Sequence, residues 1–178
     1  MNSSGYKKYI NLSSGISFGY PETWTIREEQ FKPDSNSLIN PQGFGGAIFV
    51  FGPIETICGE GKTVIFLKKI PCKSTGGNIE SIDEYVKIYI KVNSFGKTEI
   101  IFQKEQKLGD LQGIEVSLTY ERPCPFDSPL SRPLKMQHTW LTVLHKNYFF
   151  EINYVTSKND YPLHQDVYEN IKKSFKFT

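Results

Sequence analysis

Cysteine is scarce in this 178-residue sequence: Cys58, Cys72 and Cys124 are the three it has, with no Cys-x-x-Cys spacing. That excludes a disulfide scaffold. One bridge with one free thiol, or three unpaired thiols packed as small hydrophobes, are both open. Cys72 and Cys124 are the first pair to consider. Each follows a predicted strand, in KKIPC and ERPC, and the two would share an end of the sheet if those strands ran parallel. Long apolar runs are also missing. None reaches eighteen residues, which excludes a membrane-spanning helix, and MNSSGYKKYI lacks the apolar core of a signal peptide. Charge of one sign is not in excess: 21 basic residues face 19 acidic ones, for a net charge of +2, and there is no polybasic tract. Phosphate binding needs clustered positive charge, so this balance argues against a nucleic-acid partner. No internal repeat appears.

What the chain does have is aromatic residues, 13 Phe and 10 Tyr, which suit half-buried sheet surfaces better than helical bundles. At this length one domain is the expectation, able to bury roughly 70% of the surface of the unfolded chain. Residues 1–14 form a polar lead and 15–178 the domain. MNSSG has the composition of a tether left after removal of a signal or lipoprotein leader, so an extracytoplasmic place with a membrane anchor is expected.

In GISFGYPETWTI, Ile16, Phe18 and Tyr20 alternate with small residues as a strand does, and Pro21 removes a backbone donor and ends the ladder. Trp24 and Ile26 resume the alternation, with Trp24 as an apolar plug. GAIFVFG and TVIFLKKI predict two antiparallel strands, and STGGN a linker. Ser81 and Glu84 have the spacing of a capping box, which predicts a helix from Ile82 to about Ser94 with Ile82, Tyr85, Tyr89 and Val92 on its apolar stripe. The alternation of Val86, Ile88, Ile90 and Val92 would also suit a strand; the cap decides for helix. A hairpin then turns near Gly109 to Gly113, with Ile114, Val116, Leu118 and Tyr120 on one face. A second turns at HKN, with Tyr148, Phe150, Ile152 and Tyr154 on one face. Pro162 suits the first turn of a closing helix, with Leu163, Val167 and Ile171 at helical spacing.

The chemical motifs are weak. GEGKT resembles the end of a phosphate-binding loop, but Thr56 stands where the first glycine belongs, and a strand follows where a helix is required. GFGGA fails the dinucleotide spacing. His138, His145 and His164 form neither HxH nor HExxH; they fall on a strand, a turn and a helix start, and only His138, on a sheet face, is a candidate for function. Cys124 lies between two prolines with no histidine brought to it. Neighbouring carboxylates such as Glu28 with Glu29 and Asp83 with Glu84 do not set the separation that paired acid/base catalysis needs. The lysines Lys68, Lys69 and Lys73, and Lys172, Lys173 and Lys176, read as wet faces able to attract an acidic partner.

Taken in order, GISFGYPETWTI, SIDEYV, KLGDLQGIEVSLTYE and YENIKKSFKF resemble the PsbP-like family, over about 160 residues. That family includes the extrinsic photosystem II subunit, its bacterial and archaeal lipoprotein relatives, and more distantly a Ran-binding import factor and effector chaperones of type VI secretion. The resemblance implies an α+β fold: an α/β/α sandwich with a central, mainly antiparallel sheet and helices on both faces. It also implies a non-enzymatic accessory or partner-binding protein, with no cofactor. The lead has no equivalent of the photosynthetic subunit's docking extension, which argues against a role in oxygen evolution. No metal site of the family can be matched residue by residue. The expected partner is a protein bound by a monomer, and the candidate surface is the loop ERPCPFDSPLSRP. There Arg122 and Arg132 would meet carboxylates, Phe126 and Leu130 would be apolar anchors, and the prolines would hold the loop extended. The alternative for that segment is a stiff connection with Phe126 on the core. The second function the sequence supports is small-molecule or metal-ion binding in a pocket under residues 122–133; a hydrolase has less support than either.

Overall fold

A computed structural model of the chain describes residues 5–29, 47–54, 62–74, 77–79, 81–93, 97–122 and 133–178. Their elements are β1 (Tyr6–Asn11), β2 (Ile16–Pro21), β3 (Thr25–Glu29), β4 (Ala47–Ile54), β5 (Lys62–Pro71), β6 (Lys73–Ser74), β7 (Gly77–Asn78), α1 (Ile82–Asn93), β8 (Glu99–Leu108), β9 (Leu111–Arg122), β10 (Leu134–His145), β11 (Tyr148–Ser157), α2 (Tyr161–Ser174) and β12 (Lys176–Phe177). Seven strands form one sheet in the order β3-β4-β5-β11-β10-β9-β8, and β1-β2-β12 form a second. Every pairing is antiparallel. Among the described residues the fold is α+β and dominated by sheet, with two helices.

The hairpins follow from local chemistry. Lys146 and Asn147 both take positive φ, 48° and 64°, so His145 and Tyr148 face each other across a two-residue turn whose twist matches the strands. Gly109, at φ 58°, turns β8 into β9. At Gly113 any side chain is excluded, because a Cβ there would lie 2.2 Å from the Thr142 carbonyl oxygen.

Side chains of the central strands divide between clusters. Leu141, Val143, Phe150, Ile152 and Tyr154 pack with Val167, Tyr168 and Ile171 of α2 and with Ile16 and Phe18 of the small sheet. Their strand neighbours Val116, Leu118 and Trp140 pack with Val86 of α1, and Phe149 with Tyr85. The predicted faces of β9 and β11 appear as expected. Trp24 is 6% exposed, and its ring lies where a Cβ on Gly52 would sit, 2.8 Å from Cζ2.

Several expectations are corrected. The polar lead contains β1, paired along its whole length with β2; its tyrosines and isoleucine sit among lysines, which hides the alternation. SFKFT ends in a strand, β12, added to β2. STGGN contributes to the β6–β7 pair. On α1 the Ser81 hydroxyl accepts from the Glu84 amide at 3.1 Å, as the cap requires, yet Val92 is exposed and Val86 is buried. On α2 Leu163 is exposed, while Tyr161, Tyr168 and Lys172 are buried. Both errors are errors of rotation, since one or two residues of offset at 3.6 per turn move a side chain off the buried stripe. β5 and β9 are three antiparallel pairings apart and so run in opposite directions. The premise of a shared end for Cys72 and Cys124 therefore fails: Pro71 lies opposite Tyr148, whereas Arg122 lies opposite Leu134 at the other end of β10.

Candidate functional site

Of the loop residues expected to bind a partner, Arg122 closes β9 and is exposed. Phe126, Leu130 and Arg132 lie outside the described residues, as do Cys58, Cys124 and the glycines of GEGKT and GFGGA. β5 begins at Lys62, so a strand starts within GEGKT and continues past it. Cys72 is unbridged and partly buried, and burial pushes its thiol up, away from the thiolate a nucleophile needs.

The histidines lie apart. His164 meets Trp24 edge to face, with ring centroids 5.3 Å apart. His145 is half-covered rather than fully solvated, its ring 4.6 Å from that of Phe177. His138 is buried. Among the described residues no three His, Cys, Asp or Glu side chains gather to hold a metal.

His138 belongs to a polar cluster between α1 and the large sheet. Its Nε2 lies 2.9 Å from Asn153 Oδ1, which also accepts from the Tyr89 hydroxyl at 3.3 Å. The Asn153 amide donates to Glu151 Oε2 at 3.2 Å, and Tyr85 donates to Glu151 Oε1 at 2.8 Å. With Asn153 Oδ1 as acceptor, His138 carries its proton on Nε2. Burial pushes the imidazole down to about 4, against a hydrogen bond to Asn153 that favours the charged form, and the nearby Lys68 charge lowers it further. Burial likewise raises the Glu151 carboxyl, with the Lys68 charge and the bonds from Tyr85 and Asn153 opposing. The hydroxyls in this bonded set are the phenols of Tyr85 and Tyr89, which burial pushes well away from ionisation, and both Glu151 and Asn153 are buried. The cluster positions α1 on the sheet. Trp140 Nε1, beside it, is buried with no hydrogen-bond partner among the described residues.

A second cluster joins the sheet to α2. The buried Glu115 carboxylate receives the Lys172 ammonium, the Tyr168 hydroxyl at 3.0 Å and, on its other oxygen, Lys104 at 3.0 Å. Lys172 is thus a buried ion-pair partner, which corrects its reading as part of a wet face. Sequence reasoning missed both clusters. The signal was there in YFFEINYV: a strand with aromatic residues on one face and Phe149, Glu151 and Asn153 on the other has little reason to wet the second.

Exposed large apolar side chains lie on β1 and the turn after it (Tyr6, Ile10 and Leu12), on α2 (Leu163), and on α1 and β8, two elements joined by residues 94–98. Ile88 and Val92 are 43% and 51% exposed, and Ile100 and Ile101 53% and 49%. β8 is an edge of the large sheet, and its register with β9 shifts between Ile100 and Phe102.

No protein-family model matches the chain, and no curated protein sequence does. The fold is nevertheless found among solved structures. It matches the cyanobacterial PsbP of Synechocystis with a TM-score of 0.57 at 13% identity, over 99% of this chain and 95% of that one. LpqN, a protein involved in cell envelope biogenesis of Mycobacterium tuberculosis, matches with a TM-score of 0.54 at 11% identity, over 99% and 87%. The Ran-binding protein Mog1p of Saccharomyces cerevisiae matches with 0.53 at 8% identity, over 98% and 96%. The chain has the PsbP-like fold. Among the described residues no helix is long and apolar enough to cross a membrane.

Proposed function

We propose that this chain is a non-enzymatic, partner-binding α/β/α sandwich of PsbP-like type that works outside the cytoplasm, tethered through a leader. The two apolar clusters, one built with α1 and one with α2, support the sandwich reading. The observation that carries the binding reading is the exposed apolar set Ile88, Val92, Ile100 and Ile101. Burying four such side chains in an interface would contribute several kcal/mol, at roughly 25 cal/mol per Å² of apolar surface. The Arg122 to Arg132 loop is the second contact surface, with Phe126 and Leu130 as its anchors. Its prolines lower the ordering cost of binding.

The test is chemical cross-linking in membranes of the source cell, with wild type, Ile101→Lys, Phe126→Ala and Arg132→Ala compared at equal thermal stability. A stoichiometric partner recovered by wild type and lost from Ile101→Lys or Phe126→Ala supports the reading. Equal recovery by all four proteins ends it.

A further inference from the structure

A cleft runs between the β1–β2 turn and the large sheet, away from α1 and β8. Its inner part is a cavity of about 70 Å³, and its outer part a groove of about 200 Å³. The two meet at Ser13, Ser14, Lys69 and Phe150, which line both. The inner floor is apolar, formed by Ile16, Ile48, Leu67 and Ile152. The outer groove is lined by Lys69, Lys146 and His145, with Leu12, Tyr148 and Thr178 beside them. Lys69 is held there by aromatic faces, its ammonium 4.5 Å from the Tyr148 ring centroid and 5.6 Å from that of Phe150. Among the described residues no carboxylate side chain forms an ion pair with Lys69, Lys146 or His145.

Glu28, itself exposed, also lines the inner cavity. Its two oxygens take the Tyr9 hydroxyl and, at 3.3 Å, the Asn11 amide. The cleft therefore has lysines at its mouth and an apolar floor, with the exposed Glu28 carboxylate at one side. We propose that it binds a small organic monocarboxylate, with the head among Lys69, Lys146 and His145 and a short apolar chain in the inner cavity. Glu28 disfavours a second negative charge beside it, so dicarboxylates bind more weakly than monocarboxylates. Bare inorganic anions would leave the floor unused. The cavity has room for roughly two or three methylenes, each taken as about the size of a water molecule. The positive field at the mouth is also felt by His145, whose imidazole is pushed down by burial and then by the Lys146 and Lys69 charges.

Calorimetric titration with acetate, propionate, butyrate, hexanoate and octanoate, at low ionic strength, tests the site. Affinity is expected to rise about fourfold per added carbon as far as butyrate and to level off by octanoate. Butyramide and succinate should each bind at least about tenfold more weakly than butyrate. Lys69→Met should remove most of the affinity for butyrate. Lys146→Asn, which keeps a residue tolerant of positive φ at that turn, should weaken it severalfold. Ala47→Leu, which adds bulk to the inner wall, should abolish the dependence on chain length, and if it does not fold, the ligand series alone decides. Butyrate and butyramide binding equally, phosphate matching butyrate, or no saturable binding of any carboxylate would each overturn the proposal. The cross-linking result at α1 and β8 is independent of all of them.

Discussion

Glu115 of β9 and Lys172 of α2, 57 residues apart in sequence, form an ion pair whose side chains are 2% and 4% exposed. Burial alone would raise the Glu115 carboxyl, but hydrogen bonds and charge from Lys172 and Lys104 outweigh it and hold the carboxyl below its usual value. Its contribution to stability is therefore present above the unfolded pKa, 4.5, and is lost as pH falls through the lower folded value. Removing Lys172 takes away the buried one of the two ammonium groups on Glu115 and leaves the carboxylate to the half-exposed Lys104 and to Tyr168. Lys172→Met is expected to cost about 3 to 5 kcal/mol in urea unfolding at pH 7, and the double variant Glu115→Met, Lys172→Met to recover most of it. A double variant no more stable than the single would show that the pair is not coupled as described.

Trp24→Ala should destabilise the protein by about 3 to 5 kcal/mol, the usual result of emptying the site of a buried aromatic. The ring packs over Gly52 and against His164. An unchanged melting temperature would mean that β2 and β3 are not anchored by this residue.

His138 predicts a pH dependence. Its imidazole is lowered from 6.5 to about 4, so the folded state resists protonation. The stability this group contributes is complete above pH 6.5 and declines as pH falls from there towards 4, by on the order of 3 kcal/mol. Glu151 has the opposite sign: its carboxyl is raised, so its contribution is full below 4.5 and is lost as pH rises through the higher folded value. His138→Gln should flatten the unfolding midpoint between pH 6.5 and 4 while leaving the slope from Glu151. Identical acid slopes in variant and wild type would remove His138 as the cause.

Gly113→Ala is expected to cost about 3 kcal/mol, because the new methyl group meets a carbonyl oxygen that is held in the strand ladder. Leu163→Ser and Val92→Ser, on exposed helix faces, should change stability by less than about 0.5 kcal/mol. Thermal or urea unfolding distinguishes the two classes.

The contrast between these substitutions shows what the sequence carried. Strands with a period of two were legible, as were the turn at Lys146 and Asn147, the cap at Ser81 and the plug at Trp24, because each is written in neighbouring residues. What depended on distant partners was not. Glu115 and Lys172 look like surface residues until β9 and α2 are brought together. Cys72 and Cys124 look poised to pair until strand order sets their strands in opposite directions. Glu28, Lys69 and Lys146 lie on three separated segments, and nothing in the chain announces that the β1–β2 turn leaves a cleft over the sheet. Leu163 and Val92 were misjudged for a smaller reason: three apolar residues at helical spacing do not say which of several overlapping stripes is the buried one.

The strand β12 joins β2 through Lys176 opposite Ser17 and Phe177 opposite Ile16, and the Thr178 amide reaches the Gly15 carbonyl at 2.9 Å. On the ribosome, the hairpin of β1 and β2 must therefore wait for about 160 further residues before its third strand exists. At a synthesis rate of about 5 to 20 residues per second that is roughly ten to thirty seconds. During that interval Ile16 and Phe18 have neither α2 nor Phe175 to cover them, although all belong to one cluster in the finished molecule. A nascent chain stalled before residue 161 should display this hairpin to chaperones, and release of the last eighteen residues should end the exposure.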